Sequence, residues 1–501
     1  MMKIYLDGHD YTYEIAELLK LFVESDQIDF ISEEALENNQ SFLLVSKLSK
    51  EEVRLSIEST LYFKQEKITV DVLTYDDRNF HTSAGRKKVK RMIKKSIFNV
   101  LCTHFKERPP WGILTGIRPS KIVHEMLDQN ISIKEISQCL KNEYGVSDKK
   151  VDLVTEVALI ERPVIANNGV QDVSIYIGIP FCPTRCLYCS FPSNIIDKKS
   201  RGLFTQYIEA LHYEIEKVGE ILDEMNKKVI SLYIGGGTPT TLSDVEFDRL
   251  FEKIKEHIRL DDIKEITVEA GRPDTIDKEK LVILKKHGVD RISINPQTMN
   301  DATLVRIGRS HTAEDIIRSY HMARDIGFRT INMDIIVGLP DETPSMVEHT
   351  MEKMMLLNPE NITVHTLAVK RASRLKENLH QYKITQEIQA KRMLEITESY
   401  AKRMDLLPYY MYRQKYMVGN LENIGYCKPG HECIYNIQIM EERQTIIALG
   451  AGAISKVYYP LENRLERVPN VTNVEHYIKR VDEMIEKKRI QLLKFGNNLD
   501  R

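Results

Sequence analysis

Val173-Ser174-Ile175-Tyr176-Ile177-Gly178-Ile179-Pro180-Phe181-Cys182-Pro183-Thr184-Arg185-Cys186-Leu187-Tyr188-Cys189 is the stretch on which the rest of the chain is read. Residues 173–179 form a short apolar run rich in β-branched side chains, which predicts a buried strand. Pro180 ends it, and three cysteines follow in C-x3-C-x2-C spacing. Thiolates are soft ligands suited to iron–sulfur clusters or zinc. Structural zinc wants four ligands, usually as two close pairs. Three thiolates on one loop favour a four-iron cluster, whose remaining iron is open to an amine and a carboxylate.

Downstream the pattern repeats. Apolar runs at 229–234, 266–269, 291–294, 330–336 and 361–367 alternate with helical segments at 204–222, 244–257, 278–287, 313–326 and 344–357. Strand–helix alternation of this kind predicts an α/β fold with a parallel sheet and right-handed crossovers. Six units suit a partial (βα)6 barrel of TIM type, in which chemistry sits at the C-terminal ends of the strands.

That end of the fold collects a second motif. Gly235-Gly236-Gly237-Thr238-Pro239-Thr240 directly follows the second strand. Its glycines bare the backbone for hydrogen bonding to a ligand, although a tight turn uses glycine too. Glu269 ends the third strand, Gln297 follows the fourth, Arg309 lies in Gly308-Arg309-Ser310-His311, and Asp334 sits in the fifth. Singly each reads as a cap or surface residue. Together they form a ring of carboxylate, amide and guanidinium groups suited to a polar ligand.

The rest of the chain divides by composition. Residues 1–85 read as a small α+β unit, with a helix at 11–23 and strands at 41–45 and 68–73. Residues 86–165 read as helical, 166–381 as the barrel core, and 382–501 as a helical and mixed C-terminal domain. The basic run Arg86-Lys87-Lys88-Val89-Lys90-Arg91-Met92-Ile93-Lys94-Lys95 reads as a solvated helix face, because the formal net charge is only -2. Neither a nucleic-acid nor a membrane partner is indicated. No apolar run is long enough to span a bilayer, and the N-terminus lacks a secretory core. A cytoplasmic address is expected. Seven cysteines in 501 residues, three of them clustered, point to metal or redox chemistry rather than a disulfide framework.

Together these motifs resemble the radical S-adenosylmethionine (SAM) superfamily, and more narrowly the oxygen-independent coproporphyrinogen III oxidase (coproporphyrinogen dehydrogenase) family. The run Tyr176 to Cys182 is similar to that family's YxHIPFC, and Gly235 to Thr240 matches its GGGTPT. Ile292-Ser293-Ile294-Asn295-Pro296-Gln297-Thr298, Gly308 to His311 and Met333 to Pro340 stand where it has SxGVQS, GRxH and DLIxGLP. The resemblance covers about 170–460. The N-terminal unit, Trp111-Gly112-Ile113-Leu114-Thr115-Gly116-Ile117-Arg118-Pro119 and the tail look like the HemZ branch.

The resemblance implies a radical SAM barrel, a [4Fe–4S] cluster on Cys182, Cys186 and Cys189, and SAM held by Tyr176, Tyr188, Gly236, Gly237, Thr238, Glu269, Gln297, Arg309 and Asp334. Among these, Tyr176, Glu269, Gln297, Arg309 and Asp334 are the expected catalytic set. It also implies a tetrapyrrole substrate, a low-potential electron donor such as flavodoxin or ferredoxin, and oxidative decarboxylation of propionates to vinyls in haem biosynthesis.

Three positions depart from the family. Gly178 replaces its histidine. Phe191, two residues past the last cysteine, replaces the further cysteine of the porphyrinogen-oxidising branch. Tyr435-Asn436-Ile437-Gln438-Ile439-Met440 lacks the histidine, tyrosine and tryptophan of the haem-chaperone branch's HNxxYW. Two other readings therefore stand beside the oxidase. One is a haem carrier that retains the cluster, with His431 or Cys433 as axial ligand. The other is a radical enzyme acting on another tetrapyrrole. Cys427 with Cys433 gives only two ligands of a metal shell. A substrate with four carboxylates calls for a basic mouth, for which Lys370, Arg371, Arg374 and Arg413 are candidates. His365 reads as a core histidine ahead of a ligand-facing one.

Overall fold

The computed structural model describes every residue except 37–40, 52–53, 77–79, 117, 198, 384, 415–416, 418–420 and 500–501, with backbone alone at 495–499. Ile117, within the Trp111 to Pro119 motif, lies outside the described residues. The chain forms two compact units, 1–156 and 157–501.

The first unit is built on a five-stranded sheet in the order Ile28–Phe30, Met2–Asp7, Phe42–Glu51, Arg54–Phe63, Glu66–Asp76. The first three strands run parallel and the last three form an antiparallel meander. The basic run lies on the helix Ser83–Phe105, which Thr82 caps by accepting from the Gly85 amide. Val89, Ile93, Ile97 and Leu101, spaced at one turn, are buried with Ile4, Leu44, Ile57 and Leu61 of the sheet. The lysines and arginines thus take the remaining faces, where Lys90 pairs with Glu14 and Arg91 with Glu143. The segments divided at 85/86 in the sequence reading share this core.

The strands of the second unit are numbered from its first. β1 (Asp172–Ile179), β2 (Lys228–Gly236), β3 (Glu265–Glu269), β4 (Arg291–Ser293), β5 (Thr330–Val337) and β6 (Asn361–Thr366) pair consecutively and in parallel. This is the partial barrel. Its helices Asp244–His257 and Ala313–Ile326 start on capping boxes, Ser243 with Glu246 and Thr312 with Asp315. These pairs satisfy the first free amides and fix where each crossover begins.

The tail is not a separate body. β7 (Leu407–Tyr412) and β8 (Asn423–Cys427) add antiparallel beyond β6, while β9 (Thr445–Leu449) adds parallel to β1 and carries β10 (Ile454–Tyr459) and β11 (Arg464–Pro469). The result is one sheet in the order β7-β8-β6-β5-β4-β3-β2-β1-β9-β10-β11. Segments divided at 381/382 in the sequence reading are thus joined by backbone ladders at both edges. A buried ion pair adds to this: Glu214 accepts from Lys488 at 2.8 Å, from Tyr477 at 2.6 Å, from Asn470 at 2.9 Å and from the Gly450 amide at 2.7 Å.

The two faces of β1 and β2 differ. Val173, Ile175, Ile177 and Ile179 are fully buried on one face. On the other, the ladder aligns Ser174 with Ser231, Tyr176 with Tyr233 and Gly178 with Gly235. The β5 and β6 residues on that inner face include Asn332, Asp334, Thr363 and His365. Closed barrels of this type fill their interior with branched apolar residues. Here the inner positions are mostly polar, aromatic or glycine, with Ile336 an apolar exception in β5, and they enclose a cavity.

Candidate active site

The cysteine loop leaves β1 at its C-terminal end and is pinned on several sides. The Leu187 amide donates to Ile307 O, the Leu375 amide to Leu187 O, and Arg185 Nη2 to Ala372 O at 2.5 Å. Cys182, Cys186 and Cys189 line one small cavity with Tyr188, Gly237, Thr238, Glu269, Asn295, Arg272 and Arg309. Thr238 donates to Cys182 Sγ at 3.4 Å. Gly237 has to be glycine here: a Cβ would lie 2.6 Å from Phe181 O and 3.0 Å from Cys182 Sγ. Gly236 takes φ +114°, a conformation closed to most side chains.

This cavity adjoins a larger one of about 650 Å³: Tyr188, Cys189, Glu269, Asn295 and Arg309 line both. Tyr176, Gly236, Gln297 and Asp334 line the larger part. Every residue assigned to the cluster or to SAM in the sequence reading therefore borders one or both of these adjoining cavities. One wall is aromatic. The Tyr176, Tyr233 and Tyr435 rings stack with centroids 4.4–6.2 Å apart and planes within 18–23°.

The polar ring is held in place. Glu269 accepts from Tyr233 Oη at 2.7 Å, and burial raises its carboxyl to about 7 against the pull of that bond. Burial would also raise Asp334, but His365, Asn332 and Thr363 hold it below its ordinary value. Arg309 donates to Tyr188 Oη at 3.0 Å and to Gly271 O at 3.3 Å, while its buried Nε has no partner among the described residues. A buried guanidinium N–H left unpaired marks a place for an anionic or carbonyl oxygen. Gln297 adopts φ +68° and exchanges backbone bonds with Asp334 and Ile336, which carries the polar rim past the end of β4.

Three soft sulfur donors, a glycine cradle and an unpaired guanidinium donor suit a thiolate-held cluster and a ligand with a carboxylate.

Several expectations fall elsewhere. His431 and Cys433 lie at the opposite, N-terminal end of the strands. His431 Nδ1 bonds Thr330, the first residue of β5, and Cys433 Sγ donates at 3.3 Å to Glu265, the first of β3. Cys427 pairs with Asn361 at the start of β6. The segment there plugs the barrel floor: Glu265 also accepts the Ile434 amide at 2.9 Å, capping the helix Ile434–Glu441. None of the three lines the cavity. The expected basic mouth contracts to Lys370, whose ammonium burial pushes down. Arg413 is buried beside Glu422 and lowered by burial to about 10, away from the cavity lining. Arg371 and Arg374 do not line it either. His365, read first as a core residue, lines the cavity 3.7 Å from Asp334 and 3.3 Å from Tyr412 Oη.

Sequence reasoning missed Arg272, Asn295, Tyr233 and the tyrosines of β7. For Arg272 and Asn295 a signal was available, since each stands just past a strand's C-terminal end; Tyr233 lies within β2, where it pairs with Tyr176. For Tyr410 and Tyr412 there was none, because only non-local pairing brings β7 to the cavity.

The model of the Radical SAM superfamily matches residues 176–354. The chain is 43% identical over 407 residues to the oxygen-independent coproporphyrinogen-III oxidase-like protein HemZ of Bacillus subtilis, covering 80% of this chain and 81% of that protein. It is 32% identical over 316 residues to the heme chaperone HemW of the same organism, covering 62% and 76%. Among solved structures, coproporphyrinogen III oxidase (HemN) from Escherichia coli, a radical SAM enzyme, superposes with a TM-score of 0.51 at 23% identity, over 66% of this chain and 73% of that one; this likeness is one of fold. Superfamily membership implies a [4Fe–4S] cluster and SAM as cofactors. The chain belongs to the radical SAM superfamily and, within it, to the oxygen-independent coproporphyrinogen-III oxidase-like family that includes HemZ.

Proposed function

We propose that this chain is a radical SAM enzyme that converts propionate side chains of a tetrapyrrole to vinyl groups by oxidative decarboxylation. The observation that carries the reading is that the cysteine cavity shares five lining residues with a tyrosine-walled space of about 650 Å³, in the size range of small-molecule sites.

Bound together there, a [4Fe–4S] cluster and SAM supply a carbon radical able to take hydrogen from an unactivated C–H bond. Cys182, Cys186 and Cys189 hold the cluster. Gly236, Gly237 and Thr238 present backbone groups to the methionine portion of SAM, and Arg309 Nε meets its carboxylate. Glu269, Gln297 and Asp334 accept from or donate to the hydroxyl and base groups of its nucleoside. The wall formed by Tyr176, Tyr233 and Tyr435 excludes water from the reacting carbon. Lys370 pairs with a substrate carboxylate at the rim. The propionate gives up a β-hydrogen, carbon dioxide and one electron, the last to an external acceptor. A flavodoxin- or ferredoxin-type donor delivers the low-potential electron that starts the reaction. Seven free cysteines suit a reducing cytoplasm.

A haem-carrier reading draws on Phe191, which is 59% exposed and lines the cavity. Its axial ligand would be His365 rather than His431, because His365 is the histidine bordering the cavity among the described residues. The test is an anaerobic assay of the reconstituted protein with reductant, SAM and coproporphyrinogen III. Formation of 5′-deoxyadenosine together with protoporphyrinogen IX supports the enzyme. No turnover, with a haem Soret band that disappears in His365→Ala, supports the carrier and overturns the oxidase.

A further inference from the structure

Arg272 lies just past β3 and is 4% exposed. Its guanidinium has two sides. Nε and Nη2 fork onto Asp274 at 3.1 and 2.9 Å. Nη1 points the other way, 3.1 Å from Thr184 O, 2.9 Å from Thr184 Oγ1 and 3.9 Å from Cys186 Sγ. Asp274 is in turn 3.5 Å from His311 Nδ1. Burial would raise the Asp274 carboxyl, but His311 and Arg272 hold it well below its ordinary value. The fork therefore fixes the guanidinium with one N–H aimed at the cysteine loop and the compensating carboxylate on the far side.

A surface arginine would swing free, and salt and water would screen its charge. This one is buried and oriented, with Nη1 3.9 Å from Cys186 Sγ and the opposite edge of the guanidinium on its counter-ion. In such surroundings a positive charge favours whichever state of its neighbour carries more negative charge. Hydrogen bonds to sulfur and local charge are recognised determinants of iron–sulfur reduction potentials.

We propose that Arg272, oriented by Asp274, is a positioning residue that raises the reduction potential of the cluster held by Cys182, Cys186 and Cys189, through its N–H beside Cys186 and Thr184. The inference rests on the cluster assignment above. Reduction adds one electron to the cluster, and Arg272 stabilises the product of that addition without exchanging a proton or a bond. A low-potential donor then reduces more of the cluster at a given driving force. Arginine is suited to the role because its fork meets Asp274 at two points and still leaves a third N–H for the loop.

The test is a redox titration of the anaerobically reconstituted holoprotein, with the reduced cluster read by electron paramagnetic resonance. Iron and sulfide content are measured in parallel, for the unaltered chain and Arg272→Gln. The expected result is full cluster content in both and a more negative midpoint in R272Q. At a fixed potential the ratio of reduced to oxidised cluster should fall at least tenfold, about 59 mV for one electron. A loaded R272Q whose midpoint matches the unaltered protein overturns the inference while leaving the cluster assignment standing. If the unaltered chain assembles no cluster, the assignment itself fails and the inference with it. If R272Q alone does not load, Arg272→Lys is titrated instead. It keeps the charge but loses the fork that aims an N–H at the loop, so a more negative midpoint supports the inference, and an unchanged or more positive one overturns it.

Discussion

Replacing Glu269 by glutamine should make the protein more stable and the site worse, and only in one pH range. Glu269 is held by Tyr233 at the end of β3 with its carboxyl raised from 4.5 to about 7, burial being the main cause. Below about pH 4.5 the side chain is protonated in folded and unfolded chains alike, and it contributes no pH-dependent difference. Between 4.5 and 7 the unfolded chain ionises freely while the folded one resists, so stability falls as pH rises. Above 7 both are ionised and the loss is constant. At 1.36 kcal/mol per unit, a shift of about 2.5 units corresponds to roughly 3 kcal/mol. Glu269 borders the cavity and keeps some contact with water, which screens the charge and makes that figure a ceiling. Glutamine has the same shape and still accepts from Tyr233, but carries no charge to bury. The difference between Glu269→Gln and the unaltered apoprotein should therefore grow by about 1–3 kcal/mol in favour of the variant between about pH 5 and about pH 8. Urea unfolding followed by far-UV circular dichroism measures it; the single tryptophan, Trp111, lies in the other unit and would report the wrong transition. SAM affinity, read by calorimetry, should move the opposite way, weakening in the variant at the higher pH. A stability difference that is the same at both pH values would refute the reasoning.

Three further outcomes follow from the geometry. Lys488→Met leaves Glu214 buried without its cation, and should cost about 3–5 kcal/mol and lower the thermal midpoint; an unchanged melting curve counts against the pair's structural role. Gly237→Ala puts a methyl group 2.6 Å from Phe181 O and 3.0 Å from Cys182 Sγ, and should reduce iron and sulfide content on reconstitution by more than half with the fold intact by circular dichroism. His431→Ala acts at the barrel floor, where the imidazole bonds Thr330, and should leave 5′-deoxyadenosine formation within about twofold of the unaltered rate; a tenfold loss would mean that the floor communicates with the cavity.

What was legible in the sequence was local. The C-x3-C-x2-C spacing, the glycine run and the polar residues at strand ends each lie within a few positions of a predicted strand. Their shared cavity follows once those strands lie parallel. The six barrel strands read clearly because each keeps a row of apolar residues on one buried face, as Val173, Ile175, Ile177 and Ile179 do in β1. What escaped was non-local. Arg272 reaches Cys186 across 86 positions, and Tyr410 and Tyr412 reach the cavity only because β7 pairs through β8 onto β6. The same pairing merges the tail with the barrel. His431 and Cys433 looked like free ligands because nothing in their neighbourhood of sequence reveals Thr330 or Glu265 as partners. The basic cluster after β6 suggested a broad anion site, but only Lys370 of it turns to the cavity. Side-chain direction on an irregular loop has no periodicity from which to be read.

The most direct test of the central claim is the electron paramagnetic resonance spectrum of the dithionite-reduced, reconstituted protein, recorded with and without SAM, for the unaltered chain and Cys186→Ala. The account calls for a [4Fe–4S] signal that changes on adding SAM in the unaltered chain and is absent from the variant. A signal that persists in Cys186→Ala, or one that SAM leaves untouched in the unaltered protein, would contradict it.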